Sequence, residues 1–380
     1  MRLRVIVPGL ATTVQDRGRL GYEHLGVMIN GALDTRAAAW ANRQAGNPDG
    51  AAVLEMTLLG AALEVLGDGA HDVPRAAALA GADLSCTLNG RPWLPGEARL
   101  LRPGDRIGGG SARRGVRAYL AVGGGIDVPV VLGSRATDTL ATMGGFEGRA
   151  LRAGDTLPLG ELPPEPAGAE YARFEIPPTL LEREIVRALP GHRAAGPASS
   201  GLRRLADTWY RVDPRSDRVG LRLRGPRVPA DVRGDEISEG MAIGAVEITS
   251  SGEPLLLLRS RGSIGGYPTL AVVISADLPV LAQRKPGDRL RLRLVEEREA
   301  LEAWRAQRSV TLRSPRWAVW NGTLAPGARV ERGDAIAELE VMGERRALRT
   351  PIAGRFMRAL VENGAGVRET APVCEILADE

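Results

Sequence analysis

Turn-forming residues interrupt this chain too often for long helices to dominate it. Of its 380 residues, 48 are glycine and 26 are proline. Glycine frees the backbone for left-handed turns, while proline fixes φ and removes a donor, so both end regular elements. Apolar residues come in short runs between them, as in Arg2-Leu3-Arg4-Val5-Ile6-Val7 ahead of Pro8-Gly9. The pattern predicts a mainly β protein of short strands and many turns. The length exceeds what one core holds, so two or three domains are expected.

Charge excludes some classes. The formal net charge is only +4, and arginines alternate with carboxylates, as in Arg211, Asp213, Arg215, Asp217 and Arg218. A nucleic-acid surface needs a basic stripe with interleaved aromatics, so no nucleic acid partner is expected. Lys285 is the one lysine, a bias read as genomic base composition. Cys86 and Cys374, and His24, His71 and His192, have no metal-type spacing, so no metal and no disulfide framework is predicted. The opening strand lacks the apolar core of a signal peptide, and the run Leu255 to Leu258 is cut off by Arg259. A cytoplasmic protein without membrane contact is expected.

Three matches recur in the same order. Leu54-Glu55-Met56-Thr57-Leu58-Leu59-Gly60 pairs with Val246-Glu247-Ile248-Thr249-Ser250-Ser251-Gly252, and 77–84 with 271–278. Arg102-Pro103-Gly104-Asp105-Arg106-Ile107 pairs with Lys285-Pro286-Gly287-Asp288-Arg289-Leu290. They predict two related β units, 1–165 and 166–294, with Glu55 and Glu247 equivalent. The Pro-Gly-Asp element also has a local cause, since the turn is made by proline and glycine and capped by the aspartate. Glu161-Leu162-Pro163-Pro164-Glu165-Pro166-Ala167-Gly168 has linker composition. Glu296 to Arg308 lacks glycine and proline, and predicts a helical linker over 295–310. A third unit is expected at 311–380.

That third unit contains Val330-Glu331-Arg332-Gly333-Asp334, Glu340-Val341-Met342-Gly343 and Thr350-Pro351-Ile352-Ala353-Gly354. It resembles the biotinyl/lipoyl carrier domain, whose pattern is Glu-x-Met-Lys-Met at a hairpin tip, followed by a spaced proline and glycine. Glu340, Met342, Pro351 and Gly354 match, but Gly343 stands at the lysine position and Glu344 at the second methionine. Without an ε-amine no covalent biotin is expected, and Gly343 is predicted to make a tight turn.

The main body carries Gln15-Asp16-Arg17-Gly18-Arg19, Gly31-Ala32-Leu33-Asp34, Gly46-Asn47-Pro48, Tyr119-Leu120-Ala121-Val122 and Gly124-Gly125-Ile126-Asp127-Val128-Pro129. Ser216-Asp217-Arg218, Gly265-Gly266-Tyr267-Pro268 and Ala276-Asp277-Leu278 through Ala282-Gln283 follow. Together these resemble the family of the 5-oxoprolinase C subunit and allophanate hydrolase subunit 2, over most of 1–294. The resemblance implies cyclophilin-like β-barrels, a subunit-1-like partner (similar to the 5-oxoprolinase B subunit) and a lactam-hydrolase-type partner similar to the A subunit. It implies ATP used through the complex and a small amide or lactam substrate. This chain departs from the pattern at Asn30 (usually Ser), at Glu247 (usually Gln), and at Ser260 to Ile264, where the family has Asp-x-Gln-Thr-Thr.

Two Asp-Arg pairs, Asp16-Arg17 and Asp217-Arg218, are the candidate catalytic residues. An arginine fork holds a carboxylate or phosphoryl group by two parallel bonds, and a neighbouring carboxylate orients it or takes a proton. The plainer alternative is that both are salt bridges at corners of the fold. Asn30, Asp34, Glu55, Glu247, Gly265, Gly266 and Tyr267 are the candidate substrate-binding set, with a turn beside a core tyrosine as the plainer reading of the last three. Gly108 to Gly110 and Gly123 to Gly125 are not phosphate loops, since no Gly-Lys-Ser/Thr follows. Three functions remain open: a subunit opening 5-oxoproline to glutamate with ATP, a urea-carboxylase-like carboxyltransferase component, and a non-catalytic regulator of a kinase-inhibitor-like partner. The stand-alone length favours the first.

Overall fold

A computed structural model of the chain describes residues 1–69, 72–162, 170–171, 173–174, 181–192, 198–229 and 237–379. His71 and most of the predicted linker at 161–168 lie outside these residues.

The first unit is two sheets laid face to face. One runs Thr156–Pro158, Arg2–Val7, Ala62–Leu66, Arg106–Gly108, Thr87–Leu88, Arg91–Pro92; the other Ala11–Gln15, Val53–Thr57, Arg114–Val122, Arg75–Asp83, Ala98–Leu101. Alternation builds the core: Leu3 and Val5 turn inward while Arg2 and Arg4 stay out. Leu54, Met56, Leu63, Leu79 and Leu120 fill the space between the sheets. Helix α1 (Thr35–Gln44) covers the outer face of the second sheet, and Asp34 caps it by accepting from the Ala37 amide at 2.9 Å. Its alanines let helix and sheet approach closely.

The second unit closes a seven-stranded barrel: Ile185–Pro190, Thr269–Val273, Ala245–Ile248, Pro254–Leu257, Gly220–Arg224, Tyr210–Val212 and Arg289–Leu294. The ring is sealed by the one parallel pair, between its first and last strands. Leu202 and Leu205 of α2 (Ala198–Asp207) join the apolar filling. Helix α3 (Leu278–Ala282) leads out of the Thr269–Val273 strand, with proline in its first turn. The body is therefore mainly β with a closed barrel, as the sequence predicts, although its first half is two stacked sheets instead of one ring.

Helix α4 (Glu297–Arg308) has glutamates in its first turn and arginines in its last, matching the helix dipole. Beyond it lie two five-stranded sheets. Two of their edge strands come from elsewhere in the chain. Glu170–Tyr171 pairs with Glu344–Arg349 and Arg173–Phe174 pairs with Ser309–Arg313. The barrel's first strand begins only at Ile185, so the expected start of the second unit at 166 does not coincide with the barrel. Trp40 and the alanines of α1 share one apolar cluster with Val310, Leu312, Trp320 and Ile336, so α1 joins the first unit to the last. The hairpin Ala335–Val341/Glu344–Arg349 turns on Met342 (φ 51°) and Gly343 (φ 83°), two consecutive left-handed residues as a tight two-residue turn requires. Met342 is 99% exposed there.

The Gly-Asp turn proves to be local. Asp105, Asp155, Asp288 and Asp334 each accept from the amide three residues earlier, at 2.7, 2.7, 3.0 and 2.8 Å. Each preceding glycine has φ between 90° and 95°. Two of these turns sit in the first unit and one in the last, so the motif does not mark a repeat. The match of 77–84 to 271–278 fails likewise. The Thr269–Val273 strand pairs with the strand of Glu247, whereas Arg114–Val122 separates Arg75–Asp83 from the strand of Glu55.

Candidate functional site

The predicted residues fall into two places. The first is the seam between the two main units, where a buried polar network is centred on Glu55. Its Oε2 accepts from the Leu33 amide at 2.9 Å and the Tyr119 hydroxyl at 2.8 Å. Its Oε1 is paired with Arg218 of the second unit, and Arg117 Nε lies 3.8 Å away. Arg218 also donates to Gly31 O at 2.6 Å. Tyr119 accepts in turn from the Asp34 amide, and Asp34 Oδ2 accepts from Gln283 at 2.8 Å. Gln283 spans the seam, accepting from the Val116 and Arg117 amides, both at 3.0 Å, and donating to Arg117 O. Ser260 donates to Asn30 Oδ1 at 2.7 Å, and Arg259 donates to Asn30 O at 2.9 Å and to Arg17 O.

Burial governs the electrostatics here. It raises the Asp34 carboxyl, raises Tyr119 well above the usual phenol range and lowers Arg117. Burial, with Arg218 and Arg261 nearby, lowers Arg259 to about 10. A buried network of this kind, in which Arg117 Nε alone among its named donors lacks a hydrogen bond, fixes the register of two units. Asn30, Asp34, Glu55 and Arg218 are therefore held by each other, not by open space.

The two Asp-Arg pairs share a local shape. Asp16 Oδ1 accepts from the Gly18 amide at 2.8 Å, and Asp217 Oδ1 from the Val219 amide at 2.8 Å, each a side-chain turn over two residues. Asp16 is further engaged by Ser134 Oγ at 2.6 Å and the Arg135 amide at 2.5 Å. Asp217 adds only the Gly220 amide at 3.2 Å and stays exposed. Neither aspartate orients its own arginine. Arg17 runs along the Gly50 backbone with no hydrogen-bonded partner for its side chain among the described residues, whereas Arg218 is spent on Glu55.

The second place surrounds Glu247. Val246 and Ile248 point into the barrel, so Glu247 points out, toward a small ribbon of Glu239–Gly240 and Ile264–Gly265. It is only 3% exposed, yet its carboxylate has no hydrogen bond or ion pair among the described residues. Burial alone pushes it up to about 7. Its cover is thin: a Cβ at Gly265 would stand 3.2 Å from Glu247 Oε1 and 2.3 Å from Met241 Sδ. Arg261 holds Met241 in place by donating to its carbonyl at 2.7 Å. Tyr267 is 44% exposed on the rim, which corrects the core-tyrosine alternative. A carboxyl raised toward neutral pH under so thin a cover can take or give a proton.

Gln283, Tyr119, Ser260 and Arg259 carry much of the seam but were not singled out from sequence. Gln283 and Tyr119 lie in the quoted motifs, yet nothing local distinguishes their side chains from core or surface.

Comparison with known proteins agrees with this mainly β fold. The chain belongs to the family described as carboxyltransferase domain, subdomain A and B, which matches residues 25–294. Within it, the chain is 34% identical over 304 residues to the C subunit of 5-oxoprolinase from Escherichia coli (strain K12), covering 79% of this chain and 94% of that protein. It is 32% identical to the urea amidolyase of Lachancea kluyveri, covering 75% of this chain but 16% of that protein. Among solved structures, the Kluyveromyces lactis urea carboxylase superposes with a TM-score of 0.71 at 30% identity, over 80% of this chain and 28% of that one. TTHA0988 gives 0.64 at 37% identity, and this chain spans 55% of its length.

Proposed function

We propose that this chain is a subunit of an ATP-dependent 5-oxoprolinase, converting 5-oxoproline to glutamate together with partner subunits. The carrying observation is its likeness to the 5-oxoprolinase C subunit along 94% of that protein, where the urea amidolyase matches over 16%. An amide carbonyl is a poor electrophile, and phosphorylating its oxygen with ATP creates a leaving group without any biotin step. Water adds to the phosphorylated carbon, and the ring C–N bond then breaks with its electron pair going to nitrogen, which needs a proton. A second water releases phosphate from the acyl phosphate so formed, leaving glutamate. In this reading Glu247 supplies the proton once the Met241 and Gly265 cover lifts, and the Gly265-Gly266 backbone and Tyr267 hold the substrate. Ile237, Ile264 and Tyr267, all exposed around that cover, are where a partner similar to the B subunit closes the site, with a protein similar to the A subunit completing the complex. The last unit acts as a packing module, consistent with Gly343 at its hairpin tip.

The test measures glutamate and ADP from the reconstituted complex, with and without bicarbonate and avidin. Activity that survives both and vanishes without this chain supports the proposal. Strict bicarbonate dependence or full avidin inhibition would instead identify a carboxyltransferase, the reading favoured by the family description and the urea carboxylase superposition. Glu247→Gln should lower turnover by about a hundredfold or more.

A further inference from the structure

Beside the seam, sharing Arg259 with it, lies a cleft of about 460 Å³ that the three units build together. Its walls come from the Asp16–Arg17 turn, α1, the start of α3, the C-terminal end of α4, and Ala378 and Asp379 of the last unit. Five arginines and three aspartates line it, so its wall carries two excess positive charges. The aspartates are already engaged. Asp16 is bound by Gly18, Ser134 and Arg135, Asp49 takes both bonds of the Arg43 fork at 2.8 and 2.6 Å, and Asp379 is paired with Arg329 at 3.1 Å. Three of the arginines are engaged as well: Arg43 with Asp49, Arg259 with the Asn30 and Arg17 carbonyls, and Arg308 with Ala378 O while stacked over Trp304 at 4.2 Å. Arg17 and Arg36 are left as the lining arginines whose guanidinium groups have no hydrogen-bond or ion-pair partner among the described residues.

Arg36 is half-buried on the first turn of α1, and burial lowers its pKa. Placing an unpaired cation there costs free energy that a bound anion returns. The rest of the wall is apolar or flat: Leu20, Ile243, Leu278, Pro279 and the indole of Trp304. We propose that this cleft is a binding site for a small organic dianion, a phosphate monoester or a dicarboxylate, with its charged end between Arg17 and Arg36 and its body against Trp304. The last unit supplies Trp304's neighbour Arg308 with its backbone acceptor, so the site exists only where that unit is docked. The proposal stands apart from the 5-oxoprolinase reading, because the binding needs no partner subunit.

Calorimetric titration of the full chain alone with adenosine monophosphate and with glutarate tests it. Saturable binding of either, weakened by salt and reduced about tenfold or more in Arg36→Gln and in Arg17→Gln, is the expected result. Arg36→Lys, which keeps the charge, should retain more affinity than Arg36→Gln, and an unchanged melting temperature certifies the fold of each variant. Trp304→Ala should weaken the flat phosphate ester more than glutarate. The two ligands thus decide between phosphate and dicarboxylate chemistry. No saturable binding of either up to about 10 mM, or affinity indifferent to both arginine replacements, overturns the site.

Discussion

Glu55 and Glu247 each lie on a strand of one main unit and lead different lives. Each is the third residue of its strand, and each is flanked by residues that point into the unit's core, Leu54 and Met56 in one case, Val246 and Ile248 in the other. Each carboxylate therefore emerges on the outer face. Across the strand Glu55 meets Tyr119, which donates to it, while Glu247 meets Thr269 with no hydrogen bond between their side chains. The seam brings Arg218 to Glu55, and no charged group among the described residues reaches Glu247. A buried, outward-facing glutamate becomes glue where the neighbouring unit supplies a cation, and keeps a raised carboxyl pKa where it does not.

The largest effect that can break this contrast is on stability. Glu55→Gln strands Arg218 and Arg117 in a buried seam and should cost about 3–5 kcal/mol in urea unfolding at neutral pH. A loss below about 1 kcal/mol would mean the seam carries no such load. The paired turns sharpen the point at smaller scale. Asp16→Ala removes three hydrogen bonds from a half-buried carboxylate and should cost about 2–3 kcal/mol, against about 1 kcal/mol or less for exposed Asp217→Ala.

Glu247→Gln should act with the opposite sign. The folded carboxyl titrates near 7 and the unfolded one near 4.5, so between those values the native state holds a proton that the unfolded chain lacks. Stability is then greatest on the acid side, falls as pH rises through that window, and stays low above it. The amide removes the slope and should stabilise the chain by on the order of 1–2 kcal/mol above pH 7, read from melting curves across pH. If both glutamate variants destabilise alike at pH 8, the contrast is wrong. The smallest effect belongs to Gly265→Ala. It displaces the flexible Met241 thioether and should cost under about 1 kcal/mol. By admitting water it should lower the Glu247 titration midpoint in carbon-13 spectra.

The sequence exposed the elements better than their partners. Strand content followed from turn spacing and alternation, and the helix at Glu297–Arg308 from the absence of glycine and proline. The outward placing of Glu55 and Glu247 was visible in the apolar residues beside them. The match of 77–84 to 271–278 misled because a shared Ala-Asp-Leu ending aligned the strand Arg75–Asp83 with a segment that leaves its strand after Val273 for a 3-10 turn at Ser275–Asp277. Arg218 reaching Glu55 across 163 positions has no signature in spacing, because only closing the seam brings them together. The lone Arg36 gave no sign at all: its importance depends on which carboxylates nearby are already taken.

The strands at 170–174 bear on how the protein is made. Glu170 pairs with Leu348, which lies 178 positions later in the chain. A ribosome delivers the two edge segments long before it delivers the sheets they complete, so during synthesis they must wait unpaired while the barrel forms behind them. Unpaired edges of this kind recruit other chains. The nascent protein is thus vulnerable to aggregation until Ser309–Arg313 and Glu344–Arg349 emerge, and their pairing with the waiting edges removes the hazard.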